Sequence, residues 1–180
     1  MTEMEVTEIV LLTPEAFEAA VGELGEVLHA AVHAGASVGF LLPCPLEETV
    51  AFWRNQIPAV RAGDKHVFVA RQDGRIVATT TLITGGPPNG RRRAEIAKVL
   101  THPSARKQGL ASRLMAAAEA MARADGRRVL VLDTWTGSDA ERLYRALGWT
   151  VAGVIPLYAA DIHGTLHPTT YMFKELPADA

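Results

Sequence analysis

Cysteine is nearly missing from this chain: Cys44 stands alone among 180 residues. One thiol cannot close an internal disulfide, so the fold must hold without a covalent staple and suits a reducing compartment. Long apolar runs are absent too, which removes a membrane-spanning helix from the expectations. The opening residues, MTEMEVTEIV, are acidic and have neither the basic start nor the apolar centre of a signal peptide. A cytoplasmic protein is expected. There is no excess of positive charge, the formal net charge being −2; a general nucleic-acid binder would be clearly basic. No internal repeat and no low-complexity linker is found.

Several motifs are missing as well. No Gly-x-Gly-x-x-Gly occurs, so a dinucleotide fold has little support. Gly85-Gly86-Pro87-Pro88-Asn89-Gly90-Arg91 has Walker-loop spacing but lacks the Lys-[Ser/Thr] pair, and its prolines remove N–H donors. It reads as a hairpin loop. His29 and His33 share one face of a helix, but the glutamate of a His-Glu-x-x-His motif and a third ligand are wanting. No metal is expected. Cys44, between Pro43 and Pro45, has no base or helix start to activate it and reads as a small buried residue.

What remains is an ordinary globular composition, 48% hydrophobic and 21% charged. The length suits one domain, residues 1–180, with a core of useful size. Val6–Leu12 reads as a short strand. Thr13-Pro14-Glu15 is a helix start, with an N-cap threonine, proline at the first position and an acid in the first turn; the helix runs to about Ala34 and Gly35 ends it. Val50, Trp53 and Ile57 at helical spacing predict a second helix, stopped near Pro58. β-Branched residues on both sides of Asp73-Gly74 predict a hairpin. AEIAKVLTH is a further strand, followed by a helix with Leu110, Leu114 and Met121 on its apolar stripe and Gly126 at its end. RRVLVLDTW is the nearly continuous apolar strand of a two-sided core. SDAERLYRALGW is a short helix, and TVAGVIPLYA and TTYMFKEL are two closing strands. The order is β-α-α-β-β-β-α-β-α-β-β, an α/β architecture with helices on both faces of a mixed sheet. Ligands of such sheets favour the carboxyl ends of strands.

One strand-to-helix handover carries charge: Arg106-Lys107-Gln108-Gly109-Leu110-Ala111. The first turn of the helix has free backbone N–H groups, and its dipole places roughly +0.5 charge there. Together these form an anion site. A glycine lets a phosphate approach the backbone closely. A surface loop with solvated cations is the competing reading.

Arg106-x-x-Gly109-x-Ala111, directly after a strand and opening a helix, resembles the acyl-CoA pyrophosphate loop of the GNAT superfamily of N-acetyltransferases. AERLYRALGW is similar to the superfamily's second signature and places Ala140, Tyr144, Gly148 and Trp149 on its pattern. The likeness covers Lys65 to Leu176 well and the earlier part by element type only. It implies a GNAT-like, mostly antiparallel mixed sheet and acetyl-CoA as co-substrate. It further implies that Arg106, Lys107, Gln108, Gly109, Leu110, Ala111, Ser112 and Ala140 hold the coenzyme. Val99, Leu100 and Thr101 would pair with its pantetheine arm as an added strand.

An amine with a pKa of about 10.4 must lose a proton before it attacks a thioester, and the departing thiolate gains from an acid. The resemblance puts Glu95 at the position of the base. Burial among Ala94 and Ile96 would raise its pKa usefully; a strand carboxylate paired with one of Arg91–Arg93 is the other reading. Tyr144 falls on the position facing the coenzyme sulfur and is the candidate acid; an aromatic core residue beside Leu143 and Leu147 is the alternative. Asp133, Trp135, His163 and His167 lie at or beyond strand ends, within reach of an acceptor.

The expectation is a cytoplasmic acetyl-CoA-dependent N-acetyltransferase that works by direct attack in a ternary complex. The C-terminal GVIPLYAADIHGTLHPTTYMFKEL is more similar to members that acetylate small molecules, tabtoxin-resistance-type enzymes included. The expected partner is a small-molecule amine, not nucleic acid or membrane. Family habit implies a homodimer. The rival expectations are an acyl-CoA-binding sensor module without catalysis, and a peptide or protein N-acetyltransferase.

Overall fold

The computed structural model describes residues 7–177; Val6, placed in the first strand by the sequence, lies outside them. The chain folds into a seven-stranded sheet in the order β1-β2-β3-β4-β5-β7-β6. Its strands are β1 (Glu8–Leu11), β2 (Lys65–Gln72), β3 (Arg75–Ile83), β4 (Arg93–Thr101), β5 (Val129–Trp135), β6 (Thr150–Ala160) and β7 (Leu166–Glu175). Its helices are α1 (Pro14–His33), α2 (Leu46–Arg54), α3 (Ile57–Arg61), α4 (Leu110–Ala124) and α5 (Asp139–Ala146). Every strand pairing is antiparallel except β4 with β5.

The expected order holds with one addition, α3. The second helix ends at Arg54, short of the expected stop near Pro58, and Ile57 belongs to the new helix rather than to it. Pro58 plays a different part. It sits in the first turn of α3, where a missing N–H costs nothing and the fixed φ suits the helix. The last strand also begins earlier than expected and takes in Pro168. The proline is tolerated because β6 is bulged opposite it, its register jumping between Ile155 and Ala159.

Two apolar layers sandwich the sheet. On one face α4 and α5 bury Leu110, Leu114, Met115, Ala118 and Tyr144 against Phe68, Leu82, Ile96, Leu130 and Met172. On the other, α1, α2 and α3 bury Phe17, Leu24, Leu28, Trp53 and Val60 against Val67, Val69 and Leu100. α1 opens as its sequence predicts: the Thr13 hydroxyl accepts from the Ala16 N–H at 3.2 Å. Gly25 lets α2 lie close against α1. A Cβ there would stand 2.4 Å from Val50 Cγ2, and the Thr49 hydroxyl donates to the Gly25 carbonyl at 2.9 Å. This brings α2, with Phe52, over the middle of the sheet.

Candidate active site

β4 pairs with β3 along nearly its whole length but meets β5 only through Arg93–Glu95 and Val129–Val131. Beyond that point β5 stays on β7 while β4 turns away. The cause is local. The β3–β4 register shifts between Thr79 and Thr81, and Lys98 takes a left-handed φ of 50°. A bulge of this kind bends a strand and increases its twist. From Ile96 to Thr101 the β5-facing edge of β4 therefore has no strand partner. Val99, Leu100 and Thr101 lie on this edge, with Leu100 buried and Val99 and Thr101 half-buried.

The carboxyl end of β4 leads through a 3-10 turn, Pro103–Ala105, capped by His102, whose Nδ1 accepts from the Ser104 N–H. Arg106 is extended, Lys107 has φ 64°, and Gly109 has φ 72° as the N-cap of α4. No side chain caps this helix. Among the described residues, no backbone N–H from Lys107 to Ser112 has a hydrogen-bond partner. Arg106, Lys107, Gln108 and Gly109 are exposed, Ala111 and Ser112 half-buried, and Leu110 buried as the helix's anchor in the core. A turn of unpaired donors at a positive dipole end, with two cations beside it, has the physical attributes an anion needs. The Gln108 side chain is occupied elsewhere: its Oε1 accepts from Gln72 Nε2 at 2.6 Å, and Gln72 also donates to the Thr7 hydroxyl. Arg113 donates to the Thr7 carbonyl at 3.0 Å. These bonds tie the turn to the end of β2 and the start of β1.

Where β4 and β5 part, ionisable groups gather. Glu95 is exposed. Ala94 and Ile96, on either side, point into the α4 layer, so Glu95 points to the opposite face. The expected burial among those neighbours is thus corrected: strand alternation carries the carboxylate away from them. The arginines of Arg91–Arg93 form no ion pair with it among the described residues; Arg92 donates to the Gly126 carbonyl instead.

Asp133, directly opposite Tyr171 across β5 and β7, has its carboxyl pushed up by burial, with Lys98 opposing. It is open to solvent on one side, yet the cleft wall desolvates the other. Burial lowers the Lys98 ammonium, with Asp133 and Glu95 opposing and Lys65 adding to the effect. The Tyr171 hydroxyl bonds to that of Tyr158 at 2.6 Å and is pushed up to about 12, first by this bond and then by burial, with the charges of Tyr158, Asp133 and Glu95 adding. Glu95 and Asp133 thus act on the same lysine and the same tyrosine.

α5 presents Tyr144 from the other layer. Its start is capped from both directions: the Ser138 hydroxyl accepts from the Glu141 N–H at 3.1 Å, and the Glu141 carboxylate reaches back past the N-cap to accept from the Gly137 N–H at 2.6 Å. Ala140 and Tyr144, one turn apart, both meet the α4-side core. Tyr144 is buried, 6.2 Å from the Trp149 ring, and its hydroxyl has no hydrogen-bond partner among the described residues. Burial raises its pKa far above the ordinary phenol range, and the Asp133 charge adds to this. The phenol is therefore neutral at physiological pH.

Residues 32–149 match the sequence model of the acetyltransferase (GNAT) family. An uncharacterized N-acetyltransferase from the hisH-hisA intergenic region of Azospirillum brasilense is 30% identical over 152 residues, covering 73% of this chain and 88% of its own. The chain belongs to the GNAT acetyltransferase family. Solved structures share the fold at low identity. An N-acetyltransferase from Staphylococcus aureus Mu50 superposes with a TM-score of 0.78 at 18% identity, over 96% of this chain and 99% of its own. A GNAT superfamily phosphinothricin acetyltransferase from Sinorhizobium meliloti, in complex with AcCoA, gives 0.76 at 18%, over 94% and 88%.

As a GNAT acetyltransferase the chain is an acyltransferase, and its mostly antiparallel seven-stranded sheet is that of the family's structures. The expected coenzyme residues fall in two adjoining places, the β4 edge and the α4 turn, while Ala140 lies across the gap at the start of α5. Glu95 and Tyr144 stand on opposite layers of the parted strands; the Asp133 charge reaches Tyr144, and Glu95 and Asp133 both act on Tyr171. Lys98, Tyr158, Tyr171 and Gln72 were not singled out from sequence. The bulge of β4 sets the place of Lys98, and the pairing of β6 with β7 brings Tyr158 to Tyr171. His167 packs on Trp135, ring centroids 4.4 Å apart, and bonds Asp161 at 3.0 Å, holding the turn that also contains His163. Among the described residues no three potential ligands gather for a metal, and His29 and His33 simply stack at 4.1 Å. No described helix is long and apolar enough to cross a membrane. A surface hollow of about 390 Å³, between Leu11–Pro14 and a wall of Val60–Gly63 with Lys65 and His66, opens at the other end of β2 from the α4 turn and holds none of the expected site residues.

Proposed function

We propose that this GNAT acetyltransferase moves an acetyl group from acetyl-CoA to a primary amine of a small molecule, in a ternary complex and without a covalent enzyme intermediate. The observation that carries the reading is the parting of β4 from β5 directly above an uncapped α4 turn. It leaves an unpaired strand edge for an amide-bearing arm and a ring of free N–H donors for a pyrophosphate, in continuous order. The residues present fit the coenzyme: Gly109 has open space where a Cβ would stand, and Arg106 and Lys107 are free to neutralise phosphate charge. Acetyl-CoA supplies the activated thioester.

Around it, Glu95 or a water it orders takes the proton of the acceptor ammonium. Asp133, whose carboxyl burial has raised, shares that task on the same side. Tyr144 holds a neutral phenol on the opposite side and gives its proton to the departing sulfur. Val99, Leu100 and Thr101 orient the arm, and Ala140 packs beside it. No cysteine takes part: Cys44 is buried with its thiol pushed up, first by desolvation and then by Glu48.

A single cytoplasmic domain over residues 1–180 is retained in this reading, as is the homodimer. Exposed Val154, Ile155 and Leu157 on edge strand β6 support the latter, with light scattering as its check. The testing experiment is thiol release from acetyl-CoA against amines, antibiotics and peptides. Turnover with a small amine is expected. No rise in melting temperature at millimolar acetyl-CoA would sink the reading, since a ligand of the folded state must stabilise it.

A further inference from the structure

β4 spends backbone strain on one side chain. Lys98 adopts φ 50°, a conformation disfavoured for any residue with a Cβ, at the bulge that opens the strands. The bulge aims the side chain toward α2, and Nζ comes to rest 5.1 Å from the centroid of the Phe52 ring. A ring face attracts the charge, but it does not satisfy three N–H donors. None of the ion pairs among the described residues includes Lys98, and no hydrogen bond to its Nζ is found among them. Asp133 and Glu95 lie near enough to act on its charge without bonding it, and Lys65 lies on the same side. The wall thus presents two carboxylates and a separate, half-buried ammonium with donors to spare. A plain alkylamine would use the carboxylates and leave the ammonium unmatched.

We propose that Lys98 is an anion subsite in the acceptor pocket: it receives a carboxylate of the acceptor while Glu95 and Asp133 draw the acceptor's ammonium, so that the substrate is an amino acid or a similar zwitterion. This rests on the amine-acetylation reading and names its substrate class. Phe52 forms the apolar wall that dries the pair, and the bulge fixes the distance between the two charges of the acceptor. A charge-assisted hydrogen bond in such a place is worth about 10- to 100-fold in kcat/KM.

The test uses matched pairs that differ only in the anion: glycine, β-alanine, 4-aminobutyrate, L-methionine and L-lysine, each against its carboxamide. Thiol release is measured with wild type, Lys98→Met and Lys98→Arg. Wild type should favour the free acid of at least one pair by tenfold or more. Lys98→Met should erase that preference while turnover of the amide persists, and Lys98→Arg should restore part of it. Equal rates for acids and amides in wild type, or a preference that survives Lys98→Met, overturns the subsite. Loss of turnover with both forms in Lys98→Met, where wild type treats them alike, also overturns it, assigning Lys98 to the coenzyme or the chemistry.

A second readout is independent of turnover. With coenzyme A saturating, the favoured free acid should raise the melting temperature of wild type more than its amide does, and Lys98→Met should show no difference. Absence of acetylation with that difference present would strike the transferase reading and keep the anion subsite. Absence of the difference would strike the subsite whatever the turnover.

Discussion

Replacing Gly109 by alanine separates the cost of a backbone conformation from the cost of blocking a ligand. Gly109 has φ 72° at the N-cap of α4, and no heavy atom lies within 4 Å of the position its Cβ would take. The folded protein therefore meets no clash, only the left-handed strain of an L-residue, about 1–2 kcal/mol. For a domain of this size that lowers the melting temperature by about 2–8 °C. The strain is present with and without coenzyme, so it cancels in the binding equilibrium. Any change in affinity then reports the methyl group meeting the ligand. If a diphosphate rests on the N–H groups of Lys107–Ser112, the methyl displaces at least one charge-assisted hydrogen bond. That is worth about 1.5–3 kcal/mol, or roughly 10- to 100-fold in Kd. Calorimetric titration of acetyl-CoA into both proteins, with melting curves alongside, reads the two effects separately. A Kd within twofold of wild type, together with the expected loss of stability, would refute the placement of phosphate at this turn.

Glu95→Gln should lower turnover about 100-fold and leave the acetyl-CoA Kd unchanged; rates equal to wild type across pH would remove it as the base. Tyr144→Phe removes a hydroxyl with no protein partner among the described residues, so the melting temperature should move little while turnover falls at least tenfold. Full activity would return Tyr144 to a packing role. Glu141 has its carboxyl held below the ordinary range, first by the Gly137 N–H, then by Arg145 and Thr170, against the pull of burial. A lowered folded-state pKa gives stability that is complete above the unfolded value near ~4.3 and is lost as pH falls through the folded value. Glu141→Gln should therefore be less stable than wild type at pH 7, with the gap narrowing as the buffer is taken below about pH 4; a gap independent of pH would contradict this assignment.

The α4 turn was legible from sequence because its elements are local. A strand end, a glycine and a helix start lie within a few residues, and the N–H donors belong to the backbone. α1 was legible for the same reason, from Thr13 and Pro14. Pro58 misled because a proline after an apolar helical run reads as a stop, whereas α2 ends earlier, at Arg54, and Pro58 lies in the first turn of α3. Glu95 was placed on the correct strand but in the wrong surroundings. The alternation of β4 puts Ala94 and Ile96 under α4 and the carboxylate on the far face. Lys98 gave no signal, because its position depends on a register shift between β3 and β4 and on a helix from a distant part of the chain. Tyr171 and Tyr158 meet only through the pairing of β6 with β7. Gln72 is invisible until the end of β2 is seen beside Gln108. Side chains that converge through register are beyond motif reading.

In the proposed function the parted edge of β4 and the uncapped turn of α4 together hold the acyl donor. Hydrogen exchange of the backbone amides, followed with and without acetyl-CoA, tests it most directly. The unpaired N–H groups of Lys107–Ser112 and the β5-facing amides of Ile96–Thr101 should slow together on addition of acetyl-CoA, with Gly109→Ala weakening the effect in the turn. Unchanged exchange in both segments, or protection confined to the hollow lined by Leu11–Pro14, Val60–Gly63, Lys65 and His66, would contradict it.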